Sequence, residues 1–244
     1  MKKLATAFAA CMLAGLVSAQ VESQNIVGYQ TFEGLVSGGV YLIGDQFALV
    51  GGGSTVVPIA SLTNGTLKAG SNVSSGDNLQ TWDPSIKAYV TYFYRTGYGW
   101  VNSTNNTVVT TDTVDLRNGV FLRKKLTAGS LTFSGEVYGR TSVTNDNLVS
   151  GGVYLFANPW PVDVPVASLT NGTLKAGSNV SSGDNLQTWD SSAKAYVTYF
   201  YRTGYGWVNS TNNTVVTSDV IPAGQAFFFR KKLSAGSLIL NRSF

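Results

Sequence analysis

The 244-residue chain contains no histidine and a single cysteine, Cys11. It therefore cannot assemble a Ser-His-Asp or Cys-His nucleophile, a histidine-ligated metal or a disulfide framework. A hydrolase built from what is left would need two carboxylates held roughly 5 to 10 Å apart across its substrate. Asp77 and Asp83 are the one such pair in a block that occurs twice, where they recur as Asp184 and Asp190. Both lie in turn sequences, Ser75-Gly76-Asp77-Asn78 and Trp82-Asp83-Pro84, where an aspartate is first used to accept bonds from nearby backbone amides. Oxygen ligands for calcium exist in Asn72, Asp77, Asn78 and Asp83, but without the alternating acidic spacing of a calcium loop. The expectation is a non-enzyme with no cofactor and no metal.

Aromatic residues are the better candidates for a site. Trp82, Tyr98 and Trp100, repeated as Trp189, Tyr205 and Trp207, could stack sugar rings, with Gln80 and Asn102 two residues from the tryptophans and so on the same strand faces. The competing use of a tryptophan in a β-protein is as a core anchor. Two basic triplets, Arg123-Lys124-Lys125 and Arg230-Lys231-Lys232, offer a patch for an anionic envelope polymer, or else a charged edge strand that resists edge-to-edge aggregation.

These residues are carried by a duplication. Ser61–Thr110 recurs as Ser168–Thr217 at an offset of 107 residues, with Pro84 replaced by Ser191 and Ile86 by Ala193. Upstream, Leu35–Leu42 returns as Leu148–Leu155 at an offset of 113, so the first copy holds six extra residues in the region of Gly51-Gly52-Gly53. Downstream, Phe121-Leu122-Arg123-Lys124-Lys125-Leu126 returns as Phe228-Phe229-Arg230-Lys231-Lys232-Leu233. A period above 100 residues is that of a whole domain rather than a solenoid or propeller unit. Two tandem domains, 20–138 and 139–244, follow, with the boundary in the polar, turn-prone stretch Tyr138–Asn147.

Each copy reads as strands. Ala88–Arg95 is dense in β-branched and aromatic residues, and no window has a helical apolar stripe free of glycine and proline. Turn residues at Asp83–Lys87 and Gly97-Tyr98-Gly99 make a three-stranded meander. Further strands are expected at Ile26–Phe32, Val40–Ile43, Thr55–Ile59, Thr107–Thr111, Gly119–Lys125 and Ser130–Phe133. The fold class is all-β: two similar antiparallel β-sandwich or small β-barrel domains.

Asn25-Ile26-Val27-Gly28-Tyr29 near the start, Gly135-Glu136-Val137 after a final strand, and Pro222–Phe229 near the end resemble a family of uncharacterised exported bacterial β-proteins. The resemblance implies export and tandem β domains and carries no activity with it. In the first copy, Asp115–Phe121 stands where the closing motif would be, which marks that motif as a turn feeding an aromatic strand.

Export is also read from the N-terminus. Lys2-Lys3, the apolar run Leu4–Val17 and Val17-Ser18-Ala19 have the form of a signal peptide over residues 1–19, cleaved after Ala19. That segment holds Cys11 and is too short for a comfortable bilayer span. Removing Lys2 and Lys3 from the 17 basic residues leaves 15 against 13 acidic ones, a net charge of +2 and no general attraction to nucleic acid. The sequence thus predicts an extracellular, cell-surface or periplasmic protein of structural or adhesive use, with a polysaccharide or envelope polymer as partner. The alternative is a bivalent carbohydrate-binding protein using the duplicated Trp/Tyr surfaces.

Overall fold

A computed structural model describes residues 27–44, 47–48, 56–63, 65–115, 118–137, 141–170, 172–190 and 192–242. The signal-peptide segment, Asn25-Ile26, the Gly51–Gly53 stretch and Phe244 lie outside them. The first copy forms β1 (Val27–Leu35), β2 (Val40–Ile43), β3 (Phe47–Ala48), β4 (Val56–Pro58), β5 (Asn78–Asp83), β6 (Ala88–Arg95), β7 (Gly99–Asn102), β8 (Thr113–Asp115), β9 (Val120–Arg123) and β10 (Gly129–Val137). The second forms β11 (Ser142–Leu148), β12 (Val153–Ala157), β13 (Val164–Pro165), β14 (Asn185–Asp190), β15 (Ala195–Arg202), β16 (Gly206–Asn209), β17 (Val220–Ile221), β18 (Ala226–Arg230) and β19 (Gly236–Asn241). Helix is confined to two single 3-10 turns, Ile59–Ser61 and Val166–Ser168. None of it is long and apolar enough to cross a membrane.

Each copy is organised by one five-stranded antiparallel sheet, in the order β2-β9-β5-β6-β7 in the first and β12-β18-β14-β15-β16 in the second. The meander is the part most directly written in the sequence. Trp82 faces Tyr89 across the β5–β6 pair, and Lys87, with a left-handed φ of 52°, closes the turn between them. Smaller sheets cover one face of each five-stranded sheet: the three-stranded β1-β10-β3 and the pair β4-β8 in the first copy, the pairs β11-β19 and β13-β17 in the second. Both five-stranded sheets are open, so the small-barrel form of the expectation does not apply and the architecture is layered.

Strand alternation sends successive side chains to opposite faces, and here both faces are buried. The inner face of the first sheet supplies Ile43, Leu79, Tyr92, Trp100, Val120 and Leu122 to a core closed by Leu35, Ile59, Leu131 and Phe133 of the same copy. The second copy builds the matching core from Phe156, Leu186, Tyr199, Trp207, Phe227 and Phe229. The outer faces meet each other. Leu42 and Phe121 of one sheet pack against Leu155, Ala157, Ala226 and Phe228 of the other, with Val40, Trp82, Val153 and Trp189 partly buried at the margin.

This contact is close enough to specify glycine. A Cβ built on Gly119 would overlap the Ala226 methyl, and one on Gly44 the Ala157 methyl. A backbone bond from Gly44 N–H to Gly224 C=O (2.7 Å) also ties the copies together.

Three strand expectations shift. Thr107–Thr111 is not a strand; Val108 makes only an isolated bridge to Val101, because Asn102 N–H bonds Thr107 C=O (2.9 Å) and folds the segment back as a tight loop. Thr113–Asp115 forms a strand that was not expected. Asn145-Asp146-Asn147, read as turn-prone, belongs to β11, where the one left-handed residue, Asn147 (φ 59°), falls at an irregularity in the register with β19.

Candidate functional site

The aromatic residues singled out in the sequence do not share a surface. Trp100 and Trp207 are each 2% exposed and lie in the cores of their own copies. Their indole N–H groups bond Leu62 C=O (2.7 Å) and Leu169 C=O (2.8 Å), and Tyr94 and Tyr201 pack edge-on against the rings. Neither ring has a face to offer a ligand.

Trp82 and Trp189 are on the outer faces, at the junction between the copies. Trp82 N–H donates to Val153 C=O (2.7 Å) and Trp189 N–H to Val40 C=O (3.0 Å), a reciprocal pair that reproduces the offsets of the duplication. Trp82 also packs edge-on against Phe228 at 6.0 Å. Gln80 does share the Trp82 face as alternation requires, and donates to the Thr91 hydroxyl (2.9 Å). Two shallow grooves of about 160 and 150 Å³ flank Trp189 and share Tyr41; Phe32 and Gln225 line the first, Gly38, Gly39 and Lys194 the second.

Tyr98 and Tyr205 lie at the other end of the sheet, in the turns between β6 and β7 and between β15 and β16. Tyr89 faces Trp82, and the six residue steps from Tyr89 to Arg95 carry the chain about 20 Å away from it. Both tyrosines are well exposed, at 59% and 58%. Arg95 and Arg202 stack over their rings at 4.8 and 4.7 Å. The proposed trio of Trp82, Tyr98 and Trp100 is therefore dispersed over a junction, a loop and a core.

The basic triplets are dispersed as well. β9 runs between β2 and β5, so this is not an edge strand. Lys124 and Lys231, at 1% and 0% exposure, are buried. Lys124 forms a fully buried ion pair with Asp77 and also donates to Thr66 C=O (2.6 Å); Lys231 pairs with Asp184 at 2.7 Å and donates to Thr173 C=O. The remaining capacity of each carboxylate is met by backbone. Asp77 accepts from Lys68 N–H and Lys125 N–H, both at 2.8 Å, and Asp184 from Lys175 N–H (2.7 Å) and Lys232 N–H (2.8 Å). One cation of each triplet is thus structural. Burial, and next the neighbouring Arg230, lowers the pKa of Lys232.

Carboxylate chemistry finds no geometry here. Asp77 precedes β5 and Asp83 ends it, about 20 Å away along an extended strand. Asp83 and Asp190 lie in exposed turns, each accepting from a serine hydroxyl (Ser85 and Ser192, both 2.6 Å) and from backbone amides, bonds that lower their pKa values. Of the other two oxygen donors considered for calcium, Asn72 accepts from Ser74 N–H (2.9 Å) within its own loop, and Asn78 is buried and donates its Nδ2 to Val73 C=O (2.9 Å). Among the described residues no cluster of acidic side chains could hold a metal ion.

Sequence reasoning passed over Trp160, fully buried in the second core, where Asn158 accepts from its backbone N–H (3.1 Å). It lies in a segment with no near-identical partner in the first copy, so the duplication did not highlight it. Comparisons with protein-family models, with curated proteins and with solved structures return no match.

Proposed function

We propose that the chain is an exported, non-enzymatic structural or adhesive protein of the cell surface or extracellular matrix, acting as a docked pair of duplicated β units. The observation that carries this reading is the reciprocal junction: Trp82 and Trp189, the tryptophans that lie outside the two cores, are engaged in holding the two sheets together. The paired Asp77–Lys124 and Asp184–Lys231 centres likewise serve packing in two cores. What such a molecule offers to partners is its loops, and duplication offers each loop twice. Two linked weak sites gain avidity when geometry lets both engage.

The test is co-sedimentation of the chain from Gln20 onward with isolated cell envelopes and a panel of insoluble polysaccharides. Retention on envelopes or on a polymer supports adhesion, and hydrolysis of any panel member overturns the non-enzymatic reading. A carbohydrate-binding protein is the second reading, favoured by the exposed Tyr98 and Tyr205 rings and by the grooves beside Trp189.

A further inference from the structure

We infer that the two β6–β7-type turns, around Arg95–Tyr98–Asn106 and Arg202–Tyr205–Asn213, are paired binding sites for an acidic polysaccharide. This inference rests on the adhesive reading and supplies its ligand class.

The argument starts with the arginines. Arg95 is held on both sides: its guanidinium lies 4.8 Å over the Tyr98 ring, and its Nη1 donates to Asn106 Oδ1 at 3.2 Å. Arg202 is held the same way by Tyr205 at 4.7 Å and Asn213 at 3.3 Å. The anchoring asparagines are themselves fixed in the left-handed region (φ 60° and 61°), with Asn106 N–H and Asn213 N–H bonded to Asn102 C=O and Asn209 C=O, each at 2.9 Å. A guanidinium carries five donors in a planar fork that matches a carboxylate or sulfate, and one donor is used here.

Among the described residues the charge has no carboxylate counterpart. Segments 70–76 and 95–107 meet through Thr96 N–H to Gly70 C=O (3.2 Å), and neither contains an aspartate or glutamate. Neither do their equivalents 177–183 and 202–214. Among the described residues Arg95 and Arg202 form no ion pair. An ordered, half-buried cation without a carboxylate is open to an anionic ligand.

The surroundings select a sugar among anions. The segments that meet at Arg95 carry one exposed aromatic ring, Tyr98, and are rich in Ser, Thr and Asn, with Asn72 and Asn105 already accepting bonds inside their own turns and Ser71 and Ser74 on the same exposed segment, a polar setting suited to hydroxyl groups. A site with one free cation is a poor match for nucleic acid or an anionic membrane, which reward dense positive charge. A uronic acid residue would set its carboxylate on the free edge of the arginine fork and pack its ring beside the exposed edge of the tyrosine, whose face the guanidinium covers. Because the sheets are docked through Trp82 and Trp189, the two sites have a fixed separation, which a polymer with repeating acid groups can span.

The experiment is affinity electrophoresis and co-sedimentation of the full chain with a polyuronate, a sulfated galactan and a neutral glucan, beside isolated envelopes. The variants are Arg95→Gln, Arg95→Gln/Arg202→Gln and Tyr98→Ala/Tyr205→Ala, each checked for an unchanged unfolding midpoint. Retardation by the polyuronate and not by the glucan is expected, weakening as salt screens the contact. One Arg→Gln change should weaken polymer binding about 100-fold by removing avidity, and the double change should abolish it. Preference for the sulfated galactan keeps the anionic-sugar site and changes only the acid group. Equal binding to the glucan, or envelope binding that the arginine variants leave intact, overturns these loops as the site while the adhesive reading stands. No retention by any polymer or envelope overturns both.

Discussion

The two faces of each five-stranded sheet carry similar residues to different ends. The inner face places Trp100 or Trp207 in a core closed by the same copy, whereas the outer face places Trp82 or Trp189 against the other copy. Both kinds of tryptophan donate their N–H to a backbone carbonyl, the core rings fully buried and the junction rings partly so. What differs is which partner must be present for the burial to occur. A core tryptophan is satisfied by its own fold; a junction tryptophan is satisfied by duplication.

The comparison is broken most severely from the inside. Trp100→Ala removes a fully packed ring and leaves Leu62 C=O without its donor, so a loss of about 3–5 kcal/mol in denaturant unfolding is expected. Lys124→Ala should cost a similar amount, about 3–5 kcal/mol, because the Asp77 carboxylate would stay buried without its cation. The check on the cause is Lys124→Met/Asp77→Asn, which removes both charges while keeping an amide oxygen for the Lys68 or Lys125 N–H, and which should recover part of that loss; a double variant as unstable as the single would mean that the unpaired charge is not its cause.

The outer face should be softer and read differently. Trp82→Ala removes a half-buried ring and one inter-copy hydrogen bond, an expected loss of about 2 kcal/mol, and should split unfolding into separable transitions as the copies uncouple. A variant that still unfolds in one step would show that the copies are coupled by something other than this junction. Bulk can test the same contact without touching tryptophan: Gly119→Val, driven against Ala226, should uncouple the copies while leaving both inner cores intact.

Alkaline pH addresses both faces. Burial, followed by the nearby Asp112, pushes Tyr92 on the inner face up to about 12, and Tyr199 rises likewise beside Asp219. Burial, followed by Tyr196 from the other copy, pushes Tyr89 on the outer face up to about 12. A raised phenol pKa means that the folded state keeps a proton the unfolded chain has lost. Stability should be whole below pH 10 and fall as pH rises through about 12. Denaturant midpoints across that window, beside Tyr92→Phe and Tyr89→Phe, should show each variant falling less steeply than the parent.

The smallest effect is expected outside both faces. Tyr98→Ala/Tyr205→Ala alters exposed turns and should leave the unfolding midpoint unchanged; iodide should quench the emission of the five tryptophans only weakly, since the core rings are closed and the junction rings are partly covered. Tryptophan emission that iodide quenches freely would mean that the copies separate in solution.

Much of the fold was legible because it is local. Val40–Ile43 and the meander follow from β-branched and aromatic runs cut by turn residues, and such runs need only their neighbours in sequence to be read. Asn145–Asn147 was misread because turn propensity at Asn147 was accommodated inside a paired strand, with β19 as template. The candidate site was less legible. Period-2 alternation puts Gln80 with Trp82, yet says nothing of what each face meets, and it gave no sign that Lys124 turns inward to a carboxylate 47 positions away in sequence.

Composition, the strand runs and the repeat determined an all-β chain built twice, because these are properties of residue type and spacing. Only the tertiary structure decided what the repeated residues are for. A strand has two faces of similar apolar character, and whether an outer face meets solvent, sugar or a second sheet depends on long-range packing that no local pattern encodes. Here it meets its own duplicate, and Tyr98 and Arg95 at the loop end remain open to a partner.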